Sequence, residues 1–240
     1  MISKNVLITG AVKRIGKEIS EHLASKGFNI ALHYNSSKKE ALELQAKLIN
    51  SYPLQKFKIF HCDLSNEFEL EQFIDKVMNC FERLDVLVNN ASVFDPGIIR
   101  ETDVNLYNQQ MDVNLKAPFI LSRDFVLNNK KGLIINFLDT RISGYSSSHA
   151  AYCISKVGLA HLTKMMALEC GPNIRVNGIA PGASLPPEGK GQDYLDNLAK
   201  KTPMKIPGGL KPILLSVDYV LSNGNLTGQI LYCDGGEQLL

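Results

Sequence analysis

The 240-residue sequence contains no tryptophan, and its five cysteines (Cys62, Cys80, Cys153, Cys170 and Cys233) include no CxxC pair. An odd count without that spacing fits neither a disulfide framework nor a zinc site, so reduced thiols and no bound metal are expected. No apolar run approaches the roughly 18 residues of a membrane span. Met1 to Asn5 lead straight into a short apolar strand ending at Gly10, too short a run for a signal-peptide core. Charge of one sign is also missing: the net charge is +2, and Lys38-Lys39, Lys130-Lys131 and Lys200-Lys201 lie far apart in the sequence. Scattered pairs of this kind are solvated faces and make no surface for nucleic acid or lipid. A soluble, cytoplasmic chain is expected.

With 45% apolar and 21% charged residues, the composition suits a sizeable buried core. Short β-branched runs alternate with amphipathic segments and show no internal repeat. Strands are expected at Val6–Thr9, Phe28–Tyr34, Phe57–His61, Asp85–Val88, Leu133–Phe137, Ile174–Ala180 and Gln229–Cys233. Helices are expected over about 15–26, 38–50, 67–81, 104–128 (bent at Pro118), 152–170 and 193–201, with a last one from about Pro212. Near-continuous apolar strands separated by helices argue for a parallel sheet covered on both faces. Right-handed crossovers then give one doubly wound α/β domain of about seven strands, residues 1–240, with ligands at the carboxyl ends of the strands. Residues 181–210 are rich in Gly, Pro and Lys and read as a lid or binding loop, a disordered segment being the alternative.

Thr9-Gly10-Ala11-Val12-Lys13-Arg14-Ile15-Gly16 joins the first strand to the first helix. Gly10 suits the tight turn and Gly16 the close packing of helix on strand, while the helix N-terminus offers N–H groups to a pyrophosphate. Two glycines alone are a weak signal; their place between first strand and first helix strengthens it. The second strand ends in His33-Tyr34-Asn35-Ser36-Ser37 and lacks the carboxylate that would hold a ribose 2′-hydroxyl. Lys13 and Arg14 beside that end, with His33 and the two serine hydroxyls, suit a 2′-phosphate instead. NADPH is the expected cofactor.

Tyr152 and Lys156 lie at i, i+4 on one helix face after the fifth strand. A nearby ammonium favours the phenolate and lowers the pKa of a phenol, and the same lysine can hold the ribose. Asn114 in the preceding helix is positioned to anchor a water near that lysine. With Thr9-Gly10…Gly16, Asp63-Leu64, Asn89-Asn90-Ala91-Ser92, Asn114, Tyr152…Lys156, Arg175 to Gly182 and Thr227-Gly228…Asp234-Gly235-Gly236, the chain resembles a short-chain dehydrogenase/reductase over essentially its whole length. The resemblance implies that Asp63, with Leu64, meets the adenine and that Asn90, Ala91 and Ser92 run along the cofactor. It also implies that Asn114, Tyr152 and Lys156 form the proton relay, and that Pro181 and Gly182 cover the nicotinamide. It further implies a homo-oligomer, commonly a tetramer.

One position departs from that pattern. About thirteen residues before the tyrosine the family usually has a serine that donates to a substrate carbonyl; here it is Asp139. An ionised carboxylate cannot donate to a carbonyl and repels a developing alkoxide. It suits a substrate with N–H groups, or a proton delivered to nitrogen. The substitution resembles the pteridine reductase and dihydromonapterin reductase branch, as do Lys13-Arg14-Ile15-Gly16, His33-Tyr34…Ser37, Asn90-Ala91-Ser92…Phe94 and Pro181 to Ser184. That branch implies that Ser92 and Phe94 bind and stack on a flat pterin, the alternative for Phe94 being an ordinary core residue; Ser184 is a further candidate contact. The expected reaction is hydride transfer to a C=N carbon of a dihydropterin, with Tyr152, Asp139 and Lys156 supplying the proton. Competing readings are an NADPH-dependent carbonyl reductase (of 3-oxoacyl thioesters or sugars) and a non-catalytic NADPH-binding sensor.

Overall fold

The computed structural model describes residues 4–187 and 189–240. Seven parallel strands form one sheet in the order β3-β2-β1-β4-β5-β6-β7. They are β1 (Asn5–Ile8), β2 (Asn29–Tyr34), β3 (Phe57–His61), β4 (Val86–Asn89), β5 (Gly132–Phe137), β6 (Ile174–Pro181) and β7 (Ile230–Cys233). The order reverses between β1 and β4, so the carboxyl ends of those neighbours open a crevice where a ligand can lie.

Helices α1 (Arg14–Ser25), α2 (Lys38–Ser51) and α9 (Leu210–Ser222) cover one face of the sheet; α3 (Glu67–Glu71), α4 (Phe73–Phe81), α5 (Val104–Met111), α6 (Ala117–Asn128) and α7 (Ala150–Cys170) cover the other, and α8 (Gln192–Ala199) lies in the loop after β6. The central strands are apolar on both sides for this reason: Val6 and Ile8 join the first core, Leu7 and Leu87 the second. α1 buries Gly16, Ile19, Ser20, Leu23 and Ala24, spaced as one helical face.

Two long helices expected from periodicity are divided. Gln72 (φ −100°, ψ −2°) interrupts 67–81. Between α5 and α6 runs a π-helical turn, Asp112–Lys116. Its cause is Pro118 at the start of α6, which has no N–H for the carbonyl four residues back and clashes with it. Taking up one extra residue relieves that clash, and the wider turn carries Asn114.

Candidate active site

The first turn is built for close backbone approach. Gly10 is left-handed (φ +60°), and a Cβ on Gly16 would lie 2.0 Å from the Gly10 carbonyl oxygen. Thr9 Oγ1 accepts from the backbone N–H groups of Asn90 (2.9 Å) and Ala91 (2.9 Å). Asn90 Nδ2 donates back to the carbonyls of Thr9 (2.9 Å) and Gly10 (3.1 Å). Asn90 therefore positions the turn with a side chain already committed. Ser20, which sequence reasoning missed, closes the turn from α1 by donating to Ala11 and Gly16 carbonyls at 3.0 and 2.8 Å.

His33 is not a phosphate ligand. Its ring is buried; Nδ1 accepts from the Gly10 N–H (2.9 Å), so Nε2 carries the hydrogen that goes to the Cys62 carbonyl (3.0 Å). Burial lowers its pKa to about 4, which leaves a neutral strut under the turn at neutral pH. Tyr34 is likewise buried, edge-on to His61, and Leu64 lies in the core, so neither side chain faces a cofactor. Asn35 and Ser36 are exposed and Ser37 is half-buried. Asp63 remains at the crevice edge, its Oδ1 accepting from Ser65 N–H (3.0 Å) and Oγ (2.7 Å), bonds that lower its pKa.

Lys13 and Arg14 do not share one pocket. Lys13 pairs with Glu40 in the first turn of α2 at 2.7 Å, beside the end of β2. Arg14 has φ 48° and turns the other way, its guanidinium donating to the carbonyls of Pro186 (3.2 Å) and Leu185 (3.4 Å). A 2′-phosphate at the end of β2 would therefore meet Lys13, Ser36 and Ser37. Arg14 faces the segment after β6, whereas Ile15 packs on the core.

The catalytic candidates converge across the crevice. Tyr152 Oη donates to Asp139 Oδ2 at 2.7 Å. Asp139 also caps the short 3₁₀ turn Thr140–Ile142, accepting from the Arg141 N–H at 2.8 Å, and meets the Arg141 guanidinium at 3.4 Å. Burial, with the Asp139 charge and hydrogen bond, pushes the Tyr152 pKa well above that of a free phenol. The Lys156 ammonium donates to the Phe137 carbonyl at 2.9 Å and stands 5.8 Å from the tyrosine ring centre. Lys156 is buried, which brings its pKa down to about 8 against the opposing pull of Asp139.

Asn114 plays a different part from the one its sequence position suggested. Its Oδ1 accepts from Ser92 Oγ (2.9 Å) and Val93 N (3.0 Å), and its Nδ2 donates to Val93 O (3.0 Å) and Gln110 Oε1 (3.1 Å). All four side-chain hydrogen bonds are filled within the chain, so the side chain itself has no capacity left for a water by Lys156. The side chain braces the loop carrying Ser92 and Phe94. Gln110, buried and donating to Asp95 at 3.0 Å, extends the brace. Nothing in the spacing of the sequence marked Gln110 or Asp95.

Phe94 is 46% exposed, which excludes the ordinary core role. His149 lies parallel to it at 4.0 Å, Tyr152 meets it edge-on at 4.6 Å, and the Arg141 guanidinium sits 5.0 Å from its centre. Burial and the nearby Arg141 lower the His149 pKa. Ser184 is turned away: it is buried and donates to the Gly182 carbonyl at 2.9 Å. Pro181 ends β6 and Gly182 follows it at the crevice.

A family model described as short chain dehydrogenase matches residues 4–190. A 3-oxoacyl-[acyl-carrier-protein] reductase of Staphylococcus epidermidis is 29% identical, covering 98% of this chain and 99% of that protein. An uncharacterized oxidoreductase of Thermotoga maritima is 32% identical, with 98% and 97% covered. Among solved structures, FolM alternative dihydrofolate reductase 1 from Brucella suis in complex with NADP superposes with a TM-score of 0.90 at 31% identity, over 99% of this chain and 96% of that one. The Brucella canis protein of the same description, complexed with NADP, gives a TM-score of 0.91 at 32% identity, over 99% and 95%.

Proposed function

The chain belongs to the short chain dehydrogenase family, and on that premise we propose that it is an NADPH-dependent reductase acting on a C=N bond of a dihydropterin. The observation that carries the substrate is the 2.7 Å bond from Tyr152 Oη to Asp139. A carboxylate stands where carbonyl reduction calls for a neutral donor. The similarity to NADP-bound proteins described as dihydrofolate reductases supports the same reading. The similarity to 3-oxoacyl reductases supports the coarser one, reduction by this family's chemistry.

The residues fit the cofactor. The Gly16 position has no room for a Cβ, and α1 begins after Lys13, which offers no side-chain cap. The N–H groups of its first turn are thus free for a pyrophosphate. Lys13 would hold the 2′-phosphate: its pair with Glu40 is exposed on both sides, and such pairs are worth about 1 kcal/mol or less. A phosphate carrying about two charges displaces it readily. When bound, NADPH supplies the hydride from its nicotinamide ring.

The chain's own groups manage the proton. A phenolate beside the Asp139 carboxylate is costly, so Tyr152 remains protonated at neutral pH and acts as an acid. After Tyr152 gives its proton to a ring nitrogen, the charge left on its oxygen repels Asp139 and must be neutralised. Lys156, one helical turn away and poised near neutrality, is the nearest buried proton source. Phe94, braced through Val93 and Asn114, can stack on a flat heterocycle once His149, parallel to it at 4.0 Å, or the Arg141 guanidinium over the ring moves aside.

The test is NADPH oxidation by the purified protein with a 7,8-dihydropterin, a 3-oxoacyl thioester and simple ketones. Dihydropterin turnover is expected to dominate, to fall by about 10²–10⁴-fold in Tyr152→Phe, and to be lost in Asp139→Ser. Preferred turnover of the ketones, raised further by Asp139→Ser, would overturn the pterin reading.

A further inference from the structure

Beside the site, under the loop that follows β6, lies a cavity of about 430 Å³. Leu195, Leu198, Ala199, Met204 and Ile206 supply apolar walls, and Gly182 and Ala183, which follow β6, also border it. Two carboxylates, Asp234 and Glu237, stand in the wall; among the described residues no Lys, Arg or His lines it. Glu237 also borders a second cavity of about 230 Å³, shared with Thr140 and Arg141. It therefore faces both the catalytic turn and the larger cavity.

Its position is fixed by Asp234. The oxygens of Asp234 accept from the N–H groups of Gly236 (2.9 Å) and Gln238 (2.8 Å) and from Thr140 Oγ1 (2.6 Å). This ties the last turn of the chain, Glu237–Leu239, to the residue next to Asp139. Gly182 leaves the space Glu237 needs, since a Cβ there would lie 2.8 Å from Glu237 Oε2. Arg141 gives its ion pair to Asp139 rather than to Glu237. The Glu237 carboxyl is half-buried, and burial pushes its pKa up, while Arg141 and the Ala183 N–H oppose that shift. A carboxylate with no counter-ion of its own among the described residues thus stands between an apolar cavity and the turn that follows Asp139.

We propose that Glu237 is a specificity-determining residue: the cavity receives the ring substituent of the dihydropterin, and the Glu237 carboxylate admits short uncharged substituents while rejecting the carboxylate-bearing benzoylglutamate tail of a dihydrofolate. The inference rests on the dihydropterin reading above. Like charges in a partly desolvated cavity repel far more strongly than in water, whereas hydroxyls of a polyol substituent can donate to a carboxylate.

The experiment compares kcat/KM for dihydrofolate with that for a 7,8-dihydropterin bearing a neutral polyol chain, in the unsubstituted protein, in Glu237→Gln and in Glu237→Lys. The unsubstituted protein should favour the polyol compound. The dihydrofolate-to-polyol ratio should rise about tenfold in Glu237→Gln, as expected for removing one like charge at this range, and further in Glu237→Lys. The change should appear mainly in the KM for dihydrofolate. Added salt should narrow the preference of the unsubstituted protein but not that of Glu237→Gln, a response that a merely structural role would not give. Turnover of both compounds with an unchanged ratio in Glu237→Gln would overturn this inference alone. Failure to turn over any dihydropterin would overturn the underlying reading and this inference with it.

Discussion

His33 couples acid to the phosphate turn. In the folded chain its Nδ1 accepts the Gly10 N–H and its Nε2 donates to Cys62. Protonating Nδ1 would set one N–H against another, and burial makes the charged ring costlier still, hence the pKa of about 4. In the unfolded chain the same ring titrates near 6.5. Between those values the unfolded state binds a proton that the folded state refuses. The stability His33 contributes is therefore fully present above pH 6.5 and is lost as the pH falls toward 4. The slope is about 1.4 kcal/mol per pH unit and the whole loss about 3 kcal/mol, which is a sizeable share of an ordinary domain's stability.

The assay is urea unfolding at fixed protomer concentration from pH 7.5 to 4, on the unsubstituted protein and on His33→Gln. Other carboxylates and histidines titrate in both, so the difference isolates His33. His33→Gln is expected to be less stable at neutral pH, having lost a fitted ring, yet to approach or overtake the unsubstituted protein near pH 4. Equal slopes in the two proteins would refute the reasoning. So would an imidazole resonance of His33 titrating near 6.5 in the folded state, a measurement that stands even if the variant folds poorly.

Two further outcomes follow from the site. Lys13→Ala should lower the preference for NADPH over NADH by about ten- to a hundredfold, the worth of one charged hydrogen bond, and Glu40→Gln should raise it; Arg14→Ala should change the two affinities about equally, and a selective loss of NADPH in that variant would return the 2′-phosphate to Arg14. Because Lys156 is protonated below a pKa of about 8 and its charge recharges Tyr152, kcat should fall as pH rises through that value; a profile flat to pH 9.5 would remove Lys156 from the relay.

What was legible in the sequence was whatever depends on order and periodicity. Seven strands, the turn at Gly10 and the helix bearing Tyr152 and Lys156 all follow from apolar spacing and from glycines at strand–helix junctions. What was not legible is where a side chain turns after its backbone is placed. Lys13 and Arg14 are adjacent in sequence, yet the positive φ of Arg14 sends them to opposite sides of the crevice. His33 looks like a ligand at a strand end, and only the sheet shows Gly10 and Cys62 closing on both ring nitrogens. Gln110 and Asp95 escape notice because their role is a contact across the widened turn that Pro118 imposes. Glu237 lies almost a hundred residues from Asp139 in the chain, and two side-chain bonds, Thr140 to Asp234 and Ser143 to the Gln238 carbonyl, bring them together.

The case for a pterin depends on whether Asp139 has a purely structural explanation. It does cap the turn Thr140–Ile142, and N-cap positions favour Asp, Asn and Ser about equally. Capping therefore accounts for a short polar residue but not for a charged one; serine would serve the turn as well. What serine cannot do is take the Tyr152 hydrogen as an anion while also holding the Arg141 guanidinium, and both interactions raise the cost of a Tyr152 phenolate or place charge at the crevice. Overall identity is blind to this point, since the oxoacyl reductase and the dihydrofolate reductases are nearly equally similar, at 29% and 31–32%. A few side chains facing the reacting atoms distinguish the two readings, and among them Asp139 carries a charge that capping does not require and that Arg141 meets at 3.4 Å.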